Sequence, residues 1–215
     1  MGHSKAAKSD SRQRILEIAA KRFREHGVEG LGIAELMEEA GLTHGGFYRH
    51  FESRDELVAQ AIEAALQQNV GRVSRTVERA EKDSLRGLLD RYLSLAHRDS
   101  PGEGCTVAAL AADVARSSEQ TRSAYTRHVH QFLEIIVKAL DGDTAKATRK
   151  QAIFTLSAMV GALALARAVN DEGLSEEILD ELRSKNIRFI QVILDNTGNG
   201  ASHIITHGFD ALPPP

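Results

Sequence analysis

"GLTHGGFYRHF", residues 41–51, sets two adjacent glycines inside a stretch that otherwise has the spacing of a short amphipathic helix. A glycine in a helix interior costs about 1 kcal/mol relative to alanine, so Gly45 and Gly46 need a reason. Glycine is used where a backbone must approach another surface more closely than a Cβ allows. The neighbouring residues suggest which surface. Thr43, His44, Tyr48, Arg49 and His50 hydrogen-bond or carry charge, while Phe47 and Phe51, four apart, share one apolar face. One side of such a helix docks on the protein and the other reads a polar partner, for which duplex DNA is the obvious candidate.

The flanking sequence supplies the rest of a small helical unit. Asp10 with Gln13 predicts a cap for a first helix whose apolar positions Ile15, Ile18, Ala19 and Phe23 recur until Gly27. Residues 32–40 predict a short second helix with Ile33, Leu36, Met37 and Ala40 inward, ended by Gly41. Thr43 is placed to cap the third. "SRDE", residues 53–56, has the pattern of a capping box that opens a long fourth helix, with Ser53 as cap and Glu56 reaching back. Helix, glycine turn, helix is the plan of a helix-turn-helix, in which the first element braces and the second enters the major groove. A plain three-helix core has the same periodicity.

Beyond about residue 80 the elements lengthen. Helices are predicted over 84–98, 107–116, 118–140, 145–170 and 175–195; Ser117 with Gln120, Thr144 and Ser175 serve as starts, and Gly142 and Gly173 as stops. The expected fold class is therefore all-α: an amino-terminal three-helix helix-turn-helix domain over 1–53, then a helical ligand-binding and dimerisation domain over 54–196. Residues 197–215 are expected to form an irregular tail, rich in glycine and proline.

Composition narrows the function. The chain has 215 residues and a formal net charge of -3, so nucleic-acid contact must be local rather than spread over the surface. The amino-terminal arm is basic, with Lys5, Lys8, Arg12 and Arg14 against Asp10. A single cysteine, Cys105, excludes an intramolecular disulfide and points to a reducing compartment. "MGHSKAAKSDSRQR" has no apolar core of a signal peptide, and a cytoplasmic location is expected. "AIFTLSAMVGALALARAV", residues 152–169, approaches membrane-spanning length. Its Thr155, Ser157 and Arg167 and its many alanines favour a buried bundle helix, with no membrane partner.

The order of residues in "GIAELMEEAGLTHGGFYRHFESRDEL", residues 32–57, resembles the DNA-binding segment of the TetR/AcrR family of bacterial transcription regulators. The likeness includes the Phe-Tyr-x-His-Phe block, the glycine turn and the Ser-Arg-x-Glu-Leu start of the next helix. It is specific over residues 10–60 and architectural beyond. The resemblance implies that Thr43, His44, Gly45 and Gly46 face the groove, with His44 reading a base. It implies phosphate contacts for Tyr48 and His50, a charged one for Arg54 aided by the dipole of its helix, and a phosphate or guanine contact for Arg49. Two departures, Gly32 where a capping Ser or Thr is usual and Ala34 where a polar residue is common, leave the second helix little part in readout.

The family likeness also implies a homodimer on an inverted-repeat DNA operator, released by a small-molecule inducer. One short helix reads only a few base pairs, so two must be held at a fixed spacing. The dimer surface is expected on helices 145–170 and 175–195, where Gly161, Ala162 and Ala164 permit close approach and Leu179, Leu182, Ile190 and Ile193 form a seam. An inducer pocket is expected near Tyr92, Cys105, Leu110, Tyr125 and Phe132, side chains that packing alone would equally explain. Cys105 follows a glycine-rich turn at a helix start, where a thiol can ionise more easily and serve as an electrophile or redox sensor; the alternative is a small buried packing residue.

Other chemistries find little support. His128 and His130 point to different faces, and His203 and His207 lie in the tail without a zinc-hydrolase glutamate. With no nucleophile–base pair and no phosphate loop, neither an enzyme nor a bound cofactor or metal is expected. An all-helical enzyme or ligand carrier is the remaining alternative.

Overall fold

A computed structural model describes residues 5–79, 84–140 and 145–197, with side chains placed over 6–79, 84–140 and 149–184. Every regular element among them is helical. The order is α1 (Lys5–His26), α2 (Ile33–Glu39), a 3-10 helix (His44–Arg49), α3 (Arg54–Arg79), α4 (Ser84–Tyr92), α5 (Leu95–Arg98), a 3-10 turn (Pro101–Glu103), α6 (Thr106–Ala115), α7 (Glu119–Ala139), α8 (Ala145–Ala168) and α9 (Glu172–Thr197).

Several starts and stops differ from those the sequence predicts. The first helix begins at Lys5, not at Asp10, because Ala6, Ala7 and Lys8 are good helix formers with no breaker among them. Residues 84–98 form two helices, because Ser94 leaves the helix to cap α5, accepting a bond from the His97 amide. Ser118, one residue later than expected, caps α7 through the Thr121 amide. Gly173 and Ser175 lie inside α9. Ser175 is buried, with its hydroxyl donating to the Ala166 carbonyl at 2.7 Å, so it joins α9 to α8 instead of starting a helix. Gly142, Thr144 and the tail from residue 198 lie outside the described residues.

The small helices at the amino terminus are locked by local chemistry. Gly41 sits at φ +71°, a left-handed backbone that glycine tolerates best. It lets the Gly41 amide bond the Glu38 carbonyl at 2.9 Å and the Leu42 amide bond the Met37 carbonyl at 2.8 Å, the paired closure of a Schellman motif. At the start of α3 the Ser53 hydroxyl accepts from the Glu56 amide, while the Glu56 carboxylate takes the amide of Glu52, one residue beyond the expected partner. These fixed turns set the angle between α2, the 3-10 helix and α3.

One continuous apolar cluster joins the amino-terminal helices to the rest, from Ile15 on α1 to Leu179 on α9. α3 is shared. Leu57, Val58, Ala61 and Ile62 in its first half are buried, where it packs on α1, and farther along it packs on α4 and α7. α7 continues onto α8, and α8 onto α9. α8 is long and apolar enough to cross a membrane by length and composition, but its inner face, including Leu156, Met159, Leu163 and Ala166, is buried in the shared core.

Candidate nucleic-acid interface

The residues from His44 to Arg49 fold as a 3-10 helix with Thr43 at its cap position. The Gly46 amide bonds the Thr43 carbonyl at 2.9 Å and the His50 amide bonds the Phe47 carbonyl at 2.8 Å, both i→i+3. Phe47 and Phe51 are buried with ring centroids 5.6 Å apart and anchor the turn. Tyr48, edge-on to Phe47, is 69% exposed, the most exposed large apolar side chain described. Thr43, His44, Gly45 and Arg49 are exposed beside it. Thr43 stands at the cap position without a side-chain cap bond.

Both Gly45 and Gly46 have ordinary right-handed φ. A Cβ on Gly45 would meet nothing within 4 Å, and one on Gly46 would meet Met37 and Thr43 at 3.6 Å, ordinary contact. The protein's own packing therefore gives no reason to exclude alanine at either position.

The cations around this turn divide into two roles. Arg12 donates to the His50 carbonyl at 3.2 Å and to Glu56 at 3.2 Å, and its guanidinium lies 4.7 Å from the centroid of Phe51. It braces the turn. Arg54 is likewise engaged, donating to the Val28 carbonyl at 2.6 Å and to Glu29 at 3.2 Å; in this arrangement it holds the α1–α2 loop. Lys8 and Arg49 stay on the open side, and with Arg12 they add to burial in lowering the pKa of His50. The surface around His50 is thus positive, and its Nδ1 is buried without a hydrogen-bond partner.

A cavity of about 370 Å³ lies in the larger half, between α3, α4, α5, the 99–105 segment and α7. Of the side chains expected there, Tyr92, Cys105 and Phe132 line it. Leu110 is instead fully buried in the core, and the Tyr125 hydroxyl donates to the Val107 carbonyl at 3.0 Å, tying α7 to α6. Cys105 caps α6 by position but is 4% exposed. Burial pushes its pKa up, outweighing the Tyr92 hydroxyl and the Ala108 and Val107 amides, so the helix start does not make it a ready thiolate. His97 was not singled out by sequence reasoning. It accepts from the Cys105 amide at Nε2, 3.0 Å, which leaves Nδ1 to donate to the Tyr92 carbonyl at 2.7 Å. Burial, the largest cause, lowers its pKa, so it stays a neutral strut.

The 99–105 segment also touches the amino-terminal helices. Arg24 on α1, 6% exposed, donates from Nε to the Gly102 carbonyl at 2.7 Å and from Nη2 to the same oxygen. On the other side, Asn69 of α3 donates to the Gly104 carbonyl at 3.1 Å and accepts from the Thr106 amide at 2.6 Å. Asp113 of α6 accepts weakly from the Val28 amide at 3.4 Å. One wall of the cavity is thus bonded directly to a helix that braces the recognition turn.

On α8, Ala164 is exposed and Gly161 is open, with nothing within 4 Å of a Cβ built there. Ala162 and Leu179 are buried and point inward, and Leu182 packs against the core. The outward apolar side chains are others: Ile153, Phe154, Leu165 and Leu174 are 43–58% exposed. Sequence periodicity missed them because α8 is apolar on every side and does not reveal its inner face. Ile190 and Ile193 lie outside the described side chains.

Comparison with known proteins agrees with this arrangement. Residues 15–61 match the bacterial regulatory proteins of the tetR family, and residues 82–179 match the C-terminal domain of LmrA/YxaF-like transcriptional regulators. The HTH-type transcriptional repressor DhaR of Mycobacterium sp. strain GP1 is 24% identical over 134 residues, 62% of this chain and 67% of DhaR. The repressor NemR of Escherichia coli K12 is 24% identical over 141 residues, 64% and 71% of the two chains. The crystal structure of reduced E. coli NemR superposes with a TM-score of 0.70 at 22% identity, over 83% of this chain and 96% of that one. A TetR-family regulator from Cytophaga hutchinsonii superposes with a TM-score of 0.69 at 19% identity, over 87% and 98%. With a helix-turn-helix segment and a regulatory domain both matched, this chain belongs to the tetR family of bacterial regulatory proteins and is a DNA-binding transcriptional regulator, not an enzyme.

Proposed function

We propose that the chain is a ligand-responsive repressor that binds an inverted-repeat operator as a homodimer and leaves it when a small molecule occupies the cavity between α3, α4 and α7. The observation that carries this reading is the double duty of the 99–105 segment, which walls the cavity and is bonded through Gly102 to Arg24 of α1. A ligand that shifts that wall shifts the helix bracing the recognition turn, and the two binding events must then oppose each other by one coupling free energy.

In this reading Tyr48, Arg49 and His50 hold phosphates, Thr43 and His44 read bases, and Gly45 and Gly46 let the backbone approach the groove. Arg54 would add a phosphate contact only through N–H groups not already given to Val28 and Glu29. The exposed apolar stripe of α8 and α9 supports the dimer: of the six exposed large apolar side chains described, four are Ile153, Phe154, Leu165 and Leu174. The deciding experiment selects bound duplexes from a random pool with the purified protein. A symmetric repeat is expected; a set of unrelated or asymmetric sequences would refute operator reading by a dimer.

A thiol-based, electrophile-sensing repressor is the second reading, favoured by one fact: Cys105 lines the cavity, so a reagent that enters meets it. Its burial and raised pKa work against fast reaction. Cys105→Ser separates the two, since it should abolish release by a quinone but leave release by a non-covalent ligand intact.

A further inference from the structure

The mouth of the cavity carries a concentration of positive charge that a single carboxylate, Glu103, ion-pairs among the described residues. Arg72, Arg75 and Arg79 follow one another on α3 at i, i+3 and i+7, and Arg91 of α4 faces them across Thr76. Like charges at i, i+3 and i, i+4 destabilise a helix by a few tenths of a kcal/mol per pair, about 0.2–0.5 each. Among the described residues Glu103 alone ion-pairs with the group: Arg72 donates to its carboxylate at 3.1 Å and to its carbonyl at 2.6 Å, while Arg91 donates to the Thr76 hydroxyl at 3.2 Å. Arg72, Thr76 and Arg91 belong both to this basic depression and to the cavity behind it.

Behind the arginines the lining turns apolar, with Val73, Leu88, Tyr92 and Phe132. The polar groups deeper inside are mostly spent: both nitrogens of His97 and both ends of the Asn69 amide are bonded within the chain. At the inner end Tyr92, 4% exposed, sets its hydroxyl beside the Cys105 thiol, and burial raises the pKa of both groups.

We propose that the effector is an amphipathic organic acid, its carboxylate held between Arg91 and Arg72 at the mouth and its apolar body lying along Val73, Leu88 and Phe132 toward the Tyr92 hydroxyl. Guanidinium forks match carboxylate geometry and stay charged at any physiological pH. The cavity volume of about 370 Å³ suits a small molecule of one or two rings or a medium acyl chain. The assignment rests on the ligand-responsive reading above and narrows it to one chemical class. It also gives Arg91, whose one bond among the described residues is to the Thr76 hydroxyl, a charged partner.

A matched pair of probes tests it. 2-Naphthoate and its neutral isostere 2-naphthamide fluoresce, and the chain has no tryptophan to interfere, so anisotropy on the full chain reports binding of each. The acid should bind at least tenfold tighter than the amide, with the gap closing in high salt. Arg91→Ala, at an exposed position, should remove most of the gap, and Arg91→Lys should restore part of it. Val73→Phe, checked for folding by its melting curve, should weaken both probes together. Equal affinity of acid and amide would overturn the anion assignment while leaving a ligand cavity in place. So would an acid preference that survives Arg91→Ala combined with Arg72→Ala, and so would failure of both probes to bind at millimolar concentration. The ligand-responsive reading fails on a different readout: a probe that binds the cavity without altering operator affinity.

Discussion

His50 shows how the charge around the recognition turn becomes a pH dependence. Burial, with the positive charges of Lys8, Arg12 and Arg49, lowers its pKa below the ordinary 6.5, and burial does the same to His97. Between each folded value and 6.5 the unfolded chain binds more protons, so stability rises with pH there and is lost as pH falls below 6.5. Urea unfolding at pH 7.5 and 5.5 should show that loss, and His50→Gln should reduce it without abolishing it, because His97 remains. DNA reverses the local field. A phosphate beside His50 favours the imidazolium, so operator binding should take up a proton and tighten as pH falls through 6.5, and His50→Gln should flatten that slope. Arg54 differs. Because its guanidinium is engaged by Val28 and Glu29, Arg54→Ala should cost about 1 kcal/mol of stability in urea unfolding, while the slope of log affinity against log salt falls by less than the roughly one unit of a full phosphate contact.

At the scale of single elements, the glycine pair offers a test in which stability and function move in opposite directions. Nothing in the chain opposes a methyl group at Gly45, so Gly45→Ala should leave unfolding free energy unchanged or raise it by up to about 1 kcal/mol. Operator affinity should nevertheless fall by at least tenfold if DNA backbone or base edges pass where the methyl stands. Retained affinity would mean that the glycines serve no close approach. Gly161 on α8 has the same logic for a protein partner. With open space around it, Gly161→Leu should fold as a monomer but shift sedimentation away from dimer. The helix-turn-helix was legible in the sequence because its signals are local: a left-handed Gly41, a capping Ser53 and two aromatics four apart. The outward face of α8 was not. A helix apolar on all sides carries no phase, and only packing distinguishes inward Ala162 from outward Leu165.

For the whole molecule, the question is how a cavity in the larger half can act on a turn at the far end of the amino-terminal helices. Arg24 is the most direct link. It is a nearly fully buried cation whose Nη1 has no partner and whose pKa is lowered first by desolvation. The carboxylates of Glu103 and Glu25 offset part of that desolvation, but a buried charge hydrogen-bonded to one carbonyl is still costly to keep. That cost makes sense if the bond to Gly102 transmits motion of the 99–105 wall to α1. Sequence reasoning had no access to this bond, because its partners lie 78 residues apart and nothing in the local pattern of α1 marks Arg24 as inward. Arg24→Met keeps the stem and removes the bond. The variant should fold and bind the operator within a fewfold of the original protein, and a cavity ligand should bind it as before. Release should be lost: operator affinity with saturating ligand, divided by affinity without it, should approach one, where couplings of this kind usually span about 5–150-fold. The measurement is a pair of operator titrations for each protein, with and without ligand. An unchanged ratio in Arg24→Met would assign the coupling to the other contacts across this junction, Asp113 with Val28 or the shared helix α3.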